Sequence, residues 1–327
     1  MSADGSVVVG ANYDANGVDE AFRWTAASGI ESLGPGGARE VSADGSIATG
    51  LGPSGALRWR IGPTGAVTTQ VLASSGGAGA YGASLDGSVA VGNVASRAVR
   101  WTATGKQDDI GFLPGGTFSV ATDASQDGSV AVGMSSGPGF QRAFRWSVAG
   151  GIQSLGDLPG GGDDFSYATD VSADGSVVVG YGNSDEGVRY FIWDAMNGMR
   201  DLEHLLRDQY GLSVDEWKLT APSPTGSPSA AAQVNISADG RIFAGTGTTP
   251  PANVSRGSLS CQSRLPPCFS SSLPGHYCSG GVSKEAVCVV YPSGVRRTLP
   301  FFRESSSLSC RGPPARPSSG GSPSCPT

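Results

Sequence analysis

The chain has 327 residues, a formal net charge of −6 and only two histidines. That charge argues against a dedicated nucleic-acid binder, which needs cations on phosphates, and two imidazoles make a histidine metal centre a poor expectation. No run of roughly 18 apolar residues occurs, so no transmembrane helix is expected.

One phrase organises the chain from its first residues: Ser2-Ala3-Asp4-Gly5-Ser6-Val7-Val8-Val9-Gly10. It returns around Asp44, Asp86, Asp127, Asp174 and Asp239, in steps of 40, 42, 41, 47 and 65 residues. A second phrase follows the first five copies: Ala21-Phe22-Arg23-Trp24, Ala56-Leu57-Arg58-Trp59, Ala98-Val99-Arg100-Trp101, Ala143-Phe144-Arg145-Trp146 and Tyr190-Phe191-Ile192-Trp193. A third, Gly29-Ile30-Glu31-Ser32-Leu33-Gly34, is echoed by Gly151-Ile152-Gln153-Ser154-Leu155-Gly156.

Each unit holds four short strands. Val177-Val178-Val179 is a β-branched run bounded by glycine, too short for a helix. The Phe-x-Trp phrase alternates, placing Phe22 and Trp24 on one face and Arg23 on the other. The Leu-Gly phrase gives a third strand and Tyr167–Ser172 a fourth. Asp-Gly between that fourth strand and the next valine run is a hairpin signal, because glycine takes the positive φ of a tight turn and aspartate bonds the following N–H groups. Four strands in roughly 40–45 residues is the period of a β-propeller blade. One such unit cannot bury its own apolar faces, so neighbours cover them. The expectation is an all-β chain, a β-propeller or propeller-like stack of four-stranded repeats; a right-handed β-solenoid is the competing geometry. Repeat blades are assigned to 1–196 and the start of a sixth repeat to 235–250. Both ends of the stack are expected to be incomplete: Met1 falls on a turn, which points to translation starting upstream, and the sixth unit stops after Ile242–Gly245.

Residues 197–234 interrupt the pattern. Leu202, Leu205 and Leu206 share one side of a predicted short helix, and Pro222, Pro224 and Pro228 mark a loop.

Residues 251–327 differ from everything before them. They contain all six cysteines (Cys261, Cys268, Cys278, Cys288, Cys310, Cys325), and eight basic against two acidic residues give them a charge of 8 − 2 = +6. A small disulfide module is one reading; zinc is a weaker one, because no Cys-x-x-Cys pair exists. The favoured reading is a low-complexity, disordered tail from a frameshift near residues 250–256.

The phrases Ala-Phe-Arg-Trp, Leu-Gly-x-Leu-Pro-Gly-Gly and Val-Ser-Ala-Asp-Gly-Ser-Val-Val-Val-Gly together resemble the HAF-repeat family of predicted extracellular bacterial proteins, over about residues 1–247. The namesake histidine is Glu20 here before Ala21-Phe22, and Arg142 before Ala143-Phe144. The resemblance implies export to the cell surface, as an autotransporter passenger, and brings no catalytic activity.

The repeated aspartates suggest calcium, but one carboxylate every 40 residues is too sparse for its six to eight oxygens; they are expected to form turns. Trp24, Trp59, Trp101, Trp146 and Trp193 are expected as a packing layer rather than a sugar platform. Arg23, Arg58, Arg100 and Arg145 are expected to pair with turn carboxylates between blades. Asp157, Asp163 and Asp164 flank a glycine run and could support glycosidase chemistry; His204 lacks a nucleophile motif beside it. No catalytic, cofactor or metal residue is assigned, and no cofactor is expected. The resulting expectation is a non-enzymatic surface scaffold or binding module for an unknown carbohydrate or protein ligand. A carbohydrate-active enzyme on the same ring, and a non-functional truncated product, are the alternatives.

Overall fold

A computed structural model describes residues 1–13, 17–75, 77–162, 164–209, 234–240, 242–247 and 284–289. It contains six antiparallel sheets, one per repeat. The first holds β1 (Val7–Tyr13), β2 (Asp19–Thr25) and β3 (Gly29–Pro35). The next four each have four strands. They are β4 (Gly37–Val41) to β7 (Val67–Ala73) through β5 (Ile47–Gly52) and β6 (Gly55–Ile61); β8 (Gly79–Ala83) to β11 (Gln107–Gly111) through β9 (Ala90–Val94) and β10 (Arg97–Trp101); β12 (Phe118–Ala124) to β15 (Gly151–Ser154) through β13 (Val130–Gly137) and β14 (Phe140–Ser147); and β16 (Ser166–Val171) to β19 (Gly198–Asp201) through β17 (Val177–Ser184) and β18 (Gly187–Asp194). The sixth sheet joins β20 (Asn235–Ile236), β21 (Ile242–Gly247) and β22 (Lys284–Val289).

The first strand of each sheet packs against the second strand of the sheet before it: β4 on β1, β8 on β5, β12 on β9, β16 on β13 and β20 on β17. The cores therefore lie between sheets. Ala21 and Leu33 of the first sheet meet Leu57, Trp59 and Ile61 of the second. Ala56 and Leu72 of the second meet Val99 and Trp101 of the third. The sheets also turn about an axis: Glu40 of the second sheet lies within the electrostatic reach of Asp170 of the fifth, and Asp123 of the fourth within reach of both. Sheets stack about 10 Å apart, so a straight pile would hold the second and fifth far beyond that reach. This is a propeller-like arrangement.

The Asp-Gly turns link the sheets. Ser42 Oγ accepts the Ile47 N–H at 2.9 Å and donates to Asp44 at 2.7 Å, while Asp44 accepts the Ser46 N–H at 2.9 Å. The same set recurs at Ser2/Asp4, Ser84/Asp86, Ser125/Asp127 and Ser172/Asp174. The residue between Ser and Asp then donates its N–H to the carbonyl of its counterpart in the next sheet. Ala3 donates to Ala43, Ala43 to Leu85, Leu85 to Gln126, Gln126 to Ala173 and Ala173 to Ala238, at 2.7–3.1 Å.

Two boundaries differ from the sequence reading. The fifth sheet runs to Asp201, not 196, because Asp194 accepts the N–H groups of Met196 and Asn197 and folds Gly198–Asp201 back as a fourth strand. Helix α1 (Leu202–Asp208) buries Leu202, Leu205 and Leu206 as predicted. It packs in one core with Tyr181, Tyr190 and Ile192 of the fifth sheet and Phe243 of the sixth. Lys284–Val289, inside the segment assigned to the tail, is the third strand of the sixth sheet, pairing Ile242 with Val289 and Gly247 with Lys284. The rest of 251–327, including the other five cysteines, lies outside the described residues, as do 210–233 with their prolines.

The turn glycines carry two constraints at once. Gly87 has φ +68°, and a Cβ there would stand 2.6 Å from Cβ of Ile47 in the preceding sheet; Gly5, at φ +73°, meets only the Met1 sulfur at 3.8 Å. Gly5→Ala therefore costs about 1–2 kcal/mol, from backbone conformation alone. Gly87→Ala adds about 1–3 kcal/mol of overpacking. Urea unfolding of the two variants should give a clearly larger loss for Gly87→Ala; equal losses would remove the claimed sheet-to-turn contact.

Candidate functional site

The recurring polar residues are engaged in the fold. Asp4 accepts from the Ser6 N–H and from the hydroxyls of Ser6 and Ser2, which hold its carboxyl down at about 2. The carboxyls of Asp44, Asp127 and Asp174 are likewise lowered by their serines. Asp239 accepts from the Ser237 hydroxyl. Among the described residues no group of three His, Cys, Asp or Glu is placed to hold a metal ion.

Trp59, Trp101 and Trp193 are buried, Trp146 is half-buried, and Trp24 is 37% exposed on the first sheet. The tryptophans thus form a packing layer that thins at the first sheet. The arginines do bridge sheets, but to carbonyls rather than to carboxylates. Arg58 donates to the Ser88 and Thr102 carbonyls, Arg100 to Gly128 and Arg145 to Gly175. Asp86 and Asp174 still favour the charged forms of Arg58 and Arg145 electrostatically, but the direct hydrogen bonds go to the turn carbonyls. Arg58 is fully buried with no carboxylate partner, and burial lowers it to about 10. Arg23 pairs with Glu31 on its own sheet instead, at 2.7 Å.

Of the loop carboxylates, Asp164 forms an ion pair with Arg142. Asp157 accepts the Leu158 N–H at 2.9 Å, and burial pushes its carboxyl up. Asp163 lies outside the described residues. Asp157 feels the charges of both Asp164 and Arg142, so the loop does gather two carboxyls and a guanidinium.

Beside that loop lies a cleft of about 510 Å³. Leu158, Pro159 and Gly160 form one wall, Ser184 and Asp185 of the β17–β18 hairpin another, and Met199 to Asp201 with His204, Leu205, Asp208 and Gln209 close it. Leu158 and Leu205 are buried beneath it. Arg200 is ion-paired with Asp194, and Asp201 caps α1 by accepting the His204 N–H at 2.9 Å. Behind the cleft Arg189 gathers Glu186, Asp201 and Glu203, and hydrogen bonding from Arg189 lowers Glu186. His204 is half-exposed, its Nε2 3.9 Å from Glu186. The cleft can hold a small molecule or a polymer segment by polar contacts over an apolar floor. Sequence reasoning singled out His204 but missed the cleft, because its walls come from three segments spread over some fifty residues.

A second group missed in the sequence is axial. Asp123 accepts the Val171 N–H of the next sheet at 3.1 Å, and Asp170 accepts the Ile236 N–H of the sheet beyond at 2.8 Å. Burial first, then the neighbouring Asp170, pushes the Asp123 carboxyl well up; burial also raises Glu40. The signal was present as an acid two places before the turn serine: Glu40-Val41-Ser42, Asp123-Ala124-Ser125 and Asp170-Val171-Ser172.

No protein-family model and no curated protein matches the sequence. Among solved structures, the chain is similar to TolB from Acinetobacter baumannii at 14% identity and TM-score 0.49, over 77% of this chain and 60% of that one. A putative TolB from Agrobacterium tumefaciens follows at 18% identity and TM-score 0.41, over 59% and 79%. An oligogalacturonate lyase in complex with manganese gives 14% and 0.38, over 76% and 88%. The chain thus spans about three fifths of the length of the Acinetobacter protein. No residue role is carried over from any of them.

The axial carboxyls set a pH dependence. Asp123 is raised in the folded state from an ordinary 3.8, so the folded protein binds the extra proton. Its contribution is most favourable below 3.8 and is lost as pH rises through the folded value. Asp123→Asn, which keeps an acceptor for Val171, should therefore stabilise the protein at pH 7.5 and lose that advantage at pH 3.5. Chemical denaturation at the two pH values reads this; an equal effect at both would contradict it.

Proposed function

We propose that this chain is a non-enzymatic, exported repeat protein that serves as a surface scaffold or binding module, taking a carbohydrate or protein ligand at loops on one side of the stack. The observation that carries this is the division of labour among its polar residues. Turn aspartates, serines and inter-sheet arginines are committed to hydrogen bonds within the fold, while the 510 Å³ cleft beside α1 is a hollow of ligand size. Export rests on the resemblance to HAF repeats.

The enzymatic reading keeps one supporting observation, the raised carboxyl of Asp157 near Asp164. A buried acid beside an ionised carboxylate is the arrangement glycosidases use, yet Arg142 engages the second member here.

Two assays on the full chain separate the readings. Wild type and Asp157→Asn/Asp164→Asn, incubated with neutral and acidic polysaccharides, should both give no new reducing ends or unsaturated products. Turnover present in wild type and lost in the variant would make the protein an enzyme. In sedimentation with intact cells and isolated wall polysaccharide, wild type should be retained and His204→Ala/Asp185→Ala at least tenfold less. Equal retention of both would move the ligand away from the cleft.

A further inference from the structure

The described stack has two unlike ends. The first sheet turns to solvent the face that the second to fifth sheets pack on a predecessor. Val8, Phe22, Trp24 and Ile30 share that face, Val8 opposite Trp24 and Trp24 opposite Ile30 in the register. The same row is Ala131, Phe144, Trp146 and Ile152 in the fourth sheet, in one core with Val91 and Ala98 of the third. In the fifth it is Val178, Phe191, Trp193 and Met199, in one core with Val132 and Ala143 of the fourth. Phe144 and Phe191 are fully buried there, whereas Trp24 is 37% and Ile30 65% exposed. The turn beside the row repeats the difference. A Cβ on Gly45, Gly87, Gly128 or Gly175 would strike Val7, Ile47, Val89 or Val130 of the sheet before; Gly5 keeps the same positive φ without such a neighbour. A repeat that ends a stack ordinarily carries a polar outer face. This one carries an interior face.

We propose that this face is an interaction surface for a second copy of the chain, docked head to tail, so that the sixth sheet of one copy covers Val8, Phe22, Trp24 and Ile30 of the next. The occupant follows from the joint the fold already repeats. Its turn-to-turn bonds run one way: Ala3 donates to Ala43, and its own C=O accepts nothing among the described residues. At the far end Ala238 accepts from Ala173, and its own N–H has no acceptor among them. The spare acceptor and the spare donor are the two halves of one more such bond. Ala244, five residues after Asp239, holds the place of Val9, Val132 and Val179, each of which packs on the sheet that follows. It is half-buried. The sixth sheet of the same chain does not serve, because Trp24 and Ile30 stay exposed with that sheet in place. Two first sheets face to face would set Trp24 against Trp24 and leave both Ala3 carbonyls without donors. A head-to-tail contact closes into a ring or extends as a filament, according to the rotation between copies. It is independent of the ligand reading above.

Sedimentation velocity on the full chain tests this. Over roughly 1–100 μM the average mass of wild type should rise with concentration. Trp24→Glu spoils the leading face and Ala244→Arg the trailing one, and each should weaken association about tenfold or more. Mixed in equal amounts, these two variants should form a dimer and nothing larger, since each retains the end that the other lacks. Ala238→Pro removes only the donor N–H, at a turn position that favours proline; it should weaken association about threefold and guards against an Ala244→Arg chain that fails to fold. Wild type that stays monomeric throughout would overturn the proposal. So would association lost in Trp24→Glu yet unchanged in both Ala244→Arg and Ala238→Pro, which would make the contact a symmetric pairing of first sheets.

Discussion

The fold depends on a buried serine hydroxyl. In each of the first five repeats it accepts the N–H that opens the second strand and donates to the turn aspartate, itself held by the N–H two residues on. A buried hydroxyl without partners is costly, so the set forms completely or the turn is lost. With the turn rigid, the peptide between serine and aspartate is presented to the next sheet, and five such N–H to C=O bonds run from Ala3 to Ala238. This path runs beside the packing of each first strand on the second strand of the sheet before it. The glycine that follows lets the turn sit against the preceding strand, closer than any side chain would permit.

The apolar packing follows from that spacing. Once a turn is seated, the Trp phrase of one sheet faces the Ala phrase of the one before: Trp59 meets Ala21 and Trp101 meets Ala56 in shared cores. A large residue against a small one recurs at each contact, which is how interdigitating layers reach interior density. Arginine completes the joint. Its guanidinium crosses to the next turn's carbonyls, a geometry that a planar, permanently charged donor satisfies even when buried.

Much of this was legible in the residues because the pattern is local and repeated. Asp-Gly after an apolar-Ser pair, the valine run and the Phe-x-Trp alternation each state a strand or a turn within ten residues, and six copies remove ambiguity. What escaped is what depends on meeting across repeats. Asp123 and Asp170 acquire meaning only when the sheets curve and bring them together. The arginines' direct acceptors, the turn carbonyls, escaped because which backbone oxygen faces a guanidinium is a geometric fact, invisible in spacing. Gly198–Asp201 was hidden by lacking the Leu-Gly signature, and Lys284–Val289 by lying 36 residues beyond β21 in a stretch of foreign composition. The cleft belongs to the same class: its walls share no motif, so only folding reveals them.

Because every joint uses the same backbone bond between successive turns, each copy presents an equivalent plug to its successor and an equivalent socket to its predecessor. Unequal recombination within such a gene can delete or duplicate a unit and leave the new junction chemically equivalent to the old one. The tolerated variation then collects in the outer connections, where repeat spacing grows from 40 to 65 residues along the chain without disturbing the inner seam. An architecture joined this way evolves by counting, and its loops are free to diverge.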